Sequence, residues 1–122
     1  MANRRVALVG CGMVGMSYAY ALLNSDLCNE LILIDINEDK AKGEAMDLNH
    51  GLCFSSSHMK IRAGSFEDCA YADLVVITAS AGSRKPGETR FDQLNKNVKI
   101  FKSFISKIVA SGFNGIFLVA SN

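Results

Sequence analysis

Three glycines and an aspartate have the spacing that most clearly implies chemistry. Gly10, Gly12 and Gly15 form Gly-x-Gly-x-x-Gly directly after the apolar run Val6-Ala7-Leu8-Val9. Asp35 follows twenty residues after Gly15, at the end of a second apolar run, Leu31-Ile32-Leu33-Ile34. In this pattern Gly10 makes a tight turn, Gly12 lets backbone approach a pyrophosphate, and Gly15 lets a helix pack closely on a strand. A helix that starts there aims unpaired N–H groups and the positive end of its dipole at an anion. An acid closing the second strand accepts hydrogen bonds from an adenosine ribose and repels a 2′-phosphate, so NAD is favoured over NADP. Glycine turns are common, and the triplet gains weight from sitting between a buried strand and a helix. The competing account is a parallel α/β domain with an incidental turn and a capping Asp35.

The elements that must position these residues follow in order. Short apolar runs bounded by glycine read as strands buried on both faces. After the first, Val14, Tyr18, Ala21 and Leu22 fall on one helical stripe, broken at Asn24-Ser25-Asp26. Asn37 is a candidate cap for a helix over Glu38 to Asp47, ended by His50-Gly51. Met59 to Ala63 alternates apolar and charged residues as an edge strand does. Phe66 to Ala72 is a turn or short helix, and Asp73 is expected to cap it. Leu74-Val75-Val76-Ile77 is a central strand. Thr78 to Arg90, beyond its carboxyl end, is the longest stretch without periodicity. A helix is expected from Asp92, with Leu94, Val98, Phe101, Ile105 and Ile108 on its apolar stripe and Gly112 as its stop. Gly115 to Ala120 is the fifth strand. Strands alternating with helices through short connections imply one α/β domain over residues 1–122, a doubly wound parallel sheet of the Rossmann dinucleotide-binding type. A complete dinucleotide fold has six strands, so the sheet is expected to be truncated after the fifth.

Composition narrows the function classes. A net charge of +1 over 122 residues, with no basic run, points away from nucleic acid and acidic membranes. No apolar run approaches the roughly 20 residues of a membrane helix. Met1-Ala2-Asn3-Arg4-Arg5 leads straight into the first strand, leaving no room for a signal sequence, and a soluble cytoplasmic chain is expected. Cys11, Cys28, Cys53 and Cys69 are scattered without a Cys-x-x-Cys pair, so neither a disulfide frame nor a metal site is expected. Cys11 sits in the glycine turn near a helix start, where a thiol pKa can fall. A small side chain tolerated beside a cofactor is the plainer account.

With the segments in place, the chain resembles the lactate/malate dehydrogenase family, and within it the L-lactate dehydrogenases. The resemblance covers the whole chain. It is carried by Val9 to Ala19, Gly43 to Gly51, Lys85-Pro86-Gly87-Glu88-Thr89-Arg90, and Ala110 to Asn122. It implies NAD as cofactor and reversible hydride transfer between NADH and pyruvate, a small 2-keto acid. Gly10, Gly12, Met13, Val14 and Gly15 would hold the pyrophosphate and Asp35 the adenosine ribose. Lys40 and Phe66 match positions near the adenosine, although on residue type alone Lys40 reads as a solvated surface lysine. Ala79, Ser80, Ala81 and Gly82 would border the cofactor, with Ala120 and Asn122 at the end of the fifth strand. Asn122 matches an asparagine that touches both nicotinamide ribose and substrate. Arg90 matches a catalytic arginine on a mobile loop that closes over the substrate and polarises its carbonyl. Pro86-Gly87, stiff beside flexible, suits such a lid. Without the resemblance Arg90 reads as a surface arginine.

Two departures stand out. Ser80 replaces the family's glycine, and Thr78 to Arg90 is one residue longer than the usual pattern. Where the lactate enzymes carry glutamine before Lys-Pro-Gly and the malate enzymes arginine, this chain has Arg84. A bidentate pair with the second carboxylate of oxaloacetate would suit it, so malate dehydrogenase is the alternative. The general-acid histidine and the carboxylate-gripping arginine of the family have no match here, and His50 and His58 read as surface residues. The chain is thus expected to be the cofactor-binding part of an enzyme whose catalytic domain lies outside it, or a catalytically inert NAD-binding module. The full-length enzymes of the family are typically homo-tetramers.

Overall fold

The computed structural model describes residues 3–122; the expectation of a leaderless start rests partly on Met1 and Ala2, which lie outside them. Five strands, β1 (Arg5–Val9), β2 (Glu30–Ile34), β3 (Lys60–Ala63), β4 (Leu74–Ile77) and β5 (Ile116–Val119), form one sheet in the order β3-β2-β1-β4-β5. All four pairings are parallel. Helices α1 (Met13–Ser25), α2 (Glu38–Leu52) and α3 (Arg90–Ala110) and a 3-10 helix (Phe66–Tyr71) provide the crossovers.

The continuous apolar strands follow from covering both faces. Alternate residues of a strand point to opposite sides. Val6 and Leu8 join Leu31 and Leu33 under α1 and α2, while Ala7 and Val9 join Ile32, Ile34, Val75 and Ile77 under α3 and the 3-10 helix. β3 is an edge strand, as its charged alternation predicts, with Lys60 and Arg62 exposed.

Several local expectations need correction. The buried stripe of α1 is Gly15, Ala19, Leu22 and Leu23 rather than Val14, Tyr18, Ala21 and Leu22; Val14 is exposed. That helix is apolar nearly all round, so periodicity discriminates poorly, and the close contact at Gly15 sets the face. α2 runs through Gly51 to Leu52 instead of ending at His50-Gly51. Asn37 does cap it, accepting from the Lys40 backbone N–H at 3.1 Å. Asp73 caps nothing before it: its Oδ2 accepts from Arg5 N at 2.8 Å and tethers the start of β1. α3 begins at Arg90, because Thr89 and Asp92 form a reciprocal capping box. Its buried face is Asn97, Phe104 and Ile108, with Leu94 and Val98 exposed.

Candidate functional site

β1 pairs with β2 on one side and β4 on the other, so the chain leaving β1 and the chain leaving β4 diverge to opposite faces of the sheet. A crevice opens at such a reversal, beyond the carboxyl ends of the strands. Here it holds a cavity of about 640 Å³.

The glycine turn forms its floor. Gly10 has φ +100°, its N–H donates to Ile34 O at 2.8 Å, and an added Cβ would lie 2.6 Å from Ala79 N. A Cβ on Gly15 would lie 2.0 Å from Gly10 O and 2.7 Å from Thr78 Oγ1. Thr78 Oγ1 in turn donates to Gly10 O at 2.8 Å. Gly15 therefore packs behind the turn and does not line the cavity. Gly12 does line it, and a Cβ there would meet nothing within 4 Å. Its lack of a side chain serves no internal contact and leaves backbone open to the cavity. Met13 and Val14, at the start of α1, are exposed and line the same space.

The start of α1 differs from the other helix starts. Gly12 offers no side-chain cap and the first turn has no acid, whereas α2 has Asn37 with Glu38 and Asp39, and α3 has Thr89 with Asp92. The first N–H groups of a helix lack intrahelical partners and attract negative charge. α1 alone of the three supplies no anion of its own.

Asp35, Lys40 and Phe66 lie along the wall of the cavity. The Asp35 carboxylate is braced: Oδ2 accepts from Cys11 N at 2.8 Å and Oδ1 from Asn37 N at 2.9 Å. It joins the glycine turn to the start of α2, leaving its remaining lone pairs for a ligand. Phe66 stacks on Phe104 at 5.7 Å between centroids, and Lys107 Nζ lies 5.6 Å over the Phe66 ring. Ala79, Ser80, Gly82 and Asn122 complete the rim, whereas Ala81 and Ala120 do not line it. Ala81 donates its N–H to Asn97 Oδ1 at 2.8 Å, and Ala120 donates to Ile77 O at 2.9 Å. Cys11 is fully buried, and burial, reinforced by Asp35 and Glu44, pushes its thiol up to about 12. The thiol stays protonated at physiological pH, which rules against an activated thiolate.

A second cavity, of about 390 Å³, is lined by Arg84, Arg90, Gln93, Leu94 and Asn122. Both arginines are exposed, and Asn122 and Gln93 border both cavities. Arg90 is the first residue of α3, directly after the N-cap Thr89, whose capping box with Asp92 spans it. Gln93, Asn97, Ile100, Ser103 and Phe104 were not singled out by sequence. They lie on one face of α3, and a spacing taken from Arg90 rather than Leu94 finds most of them.

The family profile "lactate/malate dehydrogenase, NAD binding domain" matches residues 4–122. The chain belongs to the lactate/malate dehydrogenase family. It is 57% identical over 120 residues to an L-lactate dehydrogenase of Macrococcus caseolyticus, a match covering 98% of this chain and 38% of that protein. Among solved structures, a lactate dehydrogenase from a Medee basin deep-sea metagenome library matches 100% of the chain and 38% of its own, with TM-score 0.93 and 55% identity. The ligand-bound minor L-lactate dehydrogenase of Enterococcus mundtii matches 98% of the chain and 38% of its own, with TM-score 0.94 and 45% identity. The chain thus spans 38% of the length of these family members. Among the described residues no helix is long and apolar enough to cross a membrane, and no cluster of His, Cys, Asp and Glu could hold a metal.

Proposed function

We propose that residues 1–122 form the NAD-binding domain of an L-lactate dehydrogenase, and that the full-length protein is a cytoplasmic homo-tetramer. One observation carries the cofactor assignment: the uncapped, acid-free start of α1 opens onto the larger cavity at Gly12, where backbone is bare. The dinucleotide fits that cradle. Gly10, Gly12, Met13 and Val14 present backbone to the pyrophosphate, Gly15 holds α1 against the turn, and Asp35 receives the adenosine ribose. Phe66 gives an apolar wall near the adenosine and Lys40 a cation at its edge. Ala79, Ser80 and Gly82 flank the path toward Asn122, with Ala81 and Ala120 acting through their backbone tethers. When bound, NADH supplies the hydride.

Arg90 is assigned the catalytic role of stabilising negative charge that develops on the carbonyl oxygen of a 2-keto acid. It lines the second cavity beside Asn122, which borders both. Neither His50 nor His58 lines either cavity, so neither is assigned the proton transfer. Met46, exposed on α2, supports that helix as a contact surface between subunits. The decisive experiment is NADH binding followed by NADH oxidation with pyruvate in the full-length protein. Absence of binding, or of pyruvate turnover in a protein that binds NADH, overturns the assignment.

Arg84 favours a second reading, malate dehydrogenase, because it lines the same small cavity as Arg90 and could pair with a second carboxylate. Faster turnover of oxaloacetate than of pyruvate would select it.

A further inference from the structure

The polar face of α3 meets the loop after β4 at two carboxamides. Asn97 is 3% exposed, yet both ends of its side chain are engaged. Oδ1 accepts from Ala81 N at 2.8 Å, and Nδ2 donates to the backbone oxygen of Asn122. One turn earlier, Gln93 Nε2 donates to Gly82 O at 3.1 Å. Arg90, Gln93 and Asn97 stand at i, i+3 and i+7, hence on one face of the helix. The loop they grip joins the two cavities, since Ser80 and Gly82 line the larger and Arg84 the smaller. Gly82 has φ +81°, and no strand or helix ladder holds the loop. Left to itself, such a segment samples many conformations.

We propose that Gln93 and Asn97 are positioning residues that fix Arg84 and Asn122 relative to Arg90, and so set the affinity of the smaller cavity for the keto acid. The inference rests on the assignment of that cavity to the substrate. Asn97 lines neither cavity, and Gln93, which borders both, acts here through its bond to Gly82. Together they peg the loop on both sides of the Ala81–Gly82 pair, two residues before Arg84, and Asn97 also bonds Asn122, three residues beyond β5. The glycine turn and Asp35 make none of these bonds themselves, whereas the pegged Gly82 and Asn122 border the larger cavity as well.

The test compares Gln93→Ala and Asn97→Asp with the wild type in the full-length protein. Asn97→Asp keeps an acceptor for Ala81 N–H and loses the donor to Asn122. NADH affinity by fluorescence titration, the melting temperature, and KM and kcat for the keto acid are measured. The expected result is a keto-acid KM raised about tenfold or more, a smaller loss of NADH affinity because Gln93, Gly82 and Asn122 also border the larger cavity, little change in melting temperature, and a smaller change in kcat; a tenfold change is about 1.4 kcal/mol. An unchanged KM in both variants overturns the inference. So does a parallel loss of NADH affinity, keto-acid affinity and melting temperature, which marks general loosening. Should Asn97→Asp fail to fold, the half-buried Gln93→Ala decides alone. A wild type that binds no NADH or turns over no keto acid overturns the site assignment and this inference together, whereas an active wild type with unresponsive variants overturns the inference alone.

Discussion

Gly12 and Gly15 are the same residue type in one motif, and the structure gives them opposite reasons to lack a side chain. A methyl on Gly15 has nowhere to go, with the Gly10 carbonyl oxygen 2.0 Å and Thr78 Oγ1 2.7 Å from its position. Gly15→Ala is therefore expected to cost on the order of 3 kcal/mol of stability, read from denaturant melts. A methyl on Gly12 meets nothing and sits on backbone with φ −80°, which any residue adopts. Gly12→Ala should cost less than about 1 kcal/mol while lowering NADH affinity about tenfold or more in a fluorescence titration. If Gly12→Ala binds NADH as tightly as wild type, the pyrophosphate is not held at that turn. The close packing of Gly15 against the turn was legible in the spacing of the motif. The internal duty of Asp35 was not, because its bond to Cys11 N closes across 24 residues of chain. Asp35→Ala should consequently lose both NADH affinity and about 1–3 kcal/mol of stability, since a part-buried donor is left unpaired.

The start of α2 was readable at Asn37, whereas Gly51 was misread as a stop and Asp73 as a cap, and helix faces were misread where only apolar periodicity was available. Asn37 was correctly taken as a cap. Thr89 and Asp92 carry the same kind of signal, and overlooking it placed the start of α3 two residues late and Arg90 outside the helix. On α3 the apolar residues exceed one stripe, so Leu94 and Val98 competed with Ile100 and Phe104. Packing of Phe104 on Phe66 settles the face, and at the top of that face the loop backbone calls for the carboxamides of Gln93 and Asn97 instead of hydrocarbon. Thr89→Ala removes the cap acceptor for Asp92 N and is expected to cost about 1 kcal/mol. Because Arg90 is the next residue, the same variant should raise the keto-acid KM; an unchanged KM would show that Arg90 does not depend on the helix start. The 3-10 helix depends on a similar box, in which Ser65 and Asp68 bond reciprocally and Arg62 Nη2 donates to Asp68 at 3.0 Å. The Arg62 guanidinium, aided by Ser65, holds the Asp68 carboxyl below its usual range. A depressed pKa in the folded state gives stability that is present above the unfolded value, ordinarily near 4, and lost as pH falls through the folded one. Asp68→Asn should thus lower the melting temperature at pH 6, with the gap to wild type closing as pH approaches 3. A gap that stays constant over that range would exclude the ion pair as its source.

At the scale of the five-stranded sheet formed by these 122 residues, the two edges are built differently. β3 presents Lys60 and Arg62 at one edge, and charged side chains discourage another strand from pairing there. β5 has no charged residue, and Ile116, Phe117, Leu118 and Val119 are between 39% and 70% exposed. Its neighbour β4 has Val75, Val76 and Ile77 fully buried, so the change from core to surface occurs within a single strand spacing. Among the described residues no helix covers β5 and no strand pairs with its outer edge. A sheet left open after the fifth strand was expected from the sequence, whereas the exposure along the whole of β5 was not visible in its residues, because Ile116-Phe117-Leu118-Val119 reads like any central strand. A row of free N–H and C=O groups beside apolar side chains favours pairing with another copy. The 122-residue chain, prepared alone, is expected to self-associate through β5, with its weight-average mass in sedimentation velocity rising with concentration. Leu118→Lys, at a position already exposed, should suppress the rise without changing the melting temperature appreciably, while Lys60→Ala at the opposite edge should leave the association through β5 intact. A mass that stays monomeric at every concentration would mean that the outer edge of β5 is not an adhesive surface.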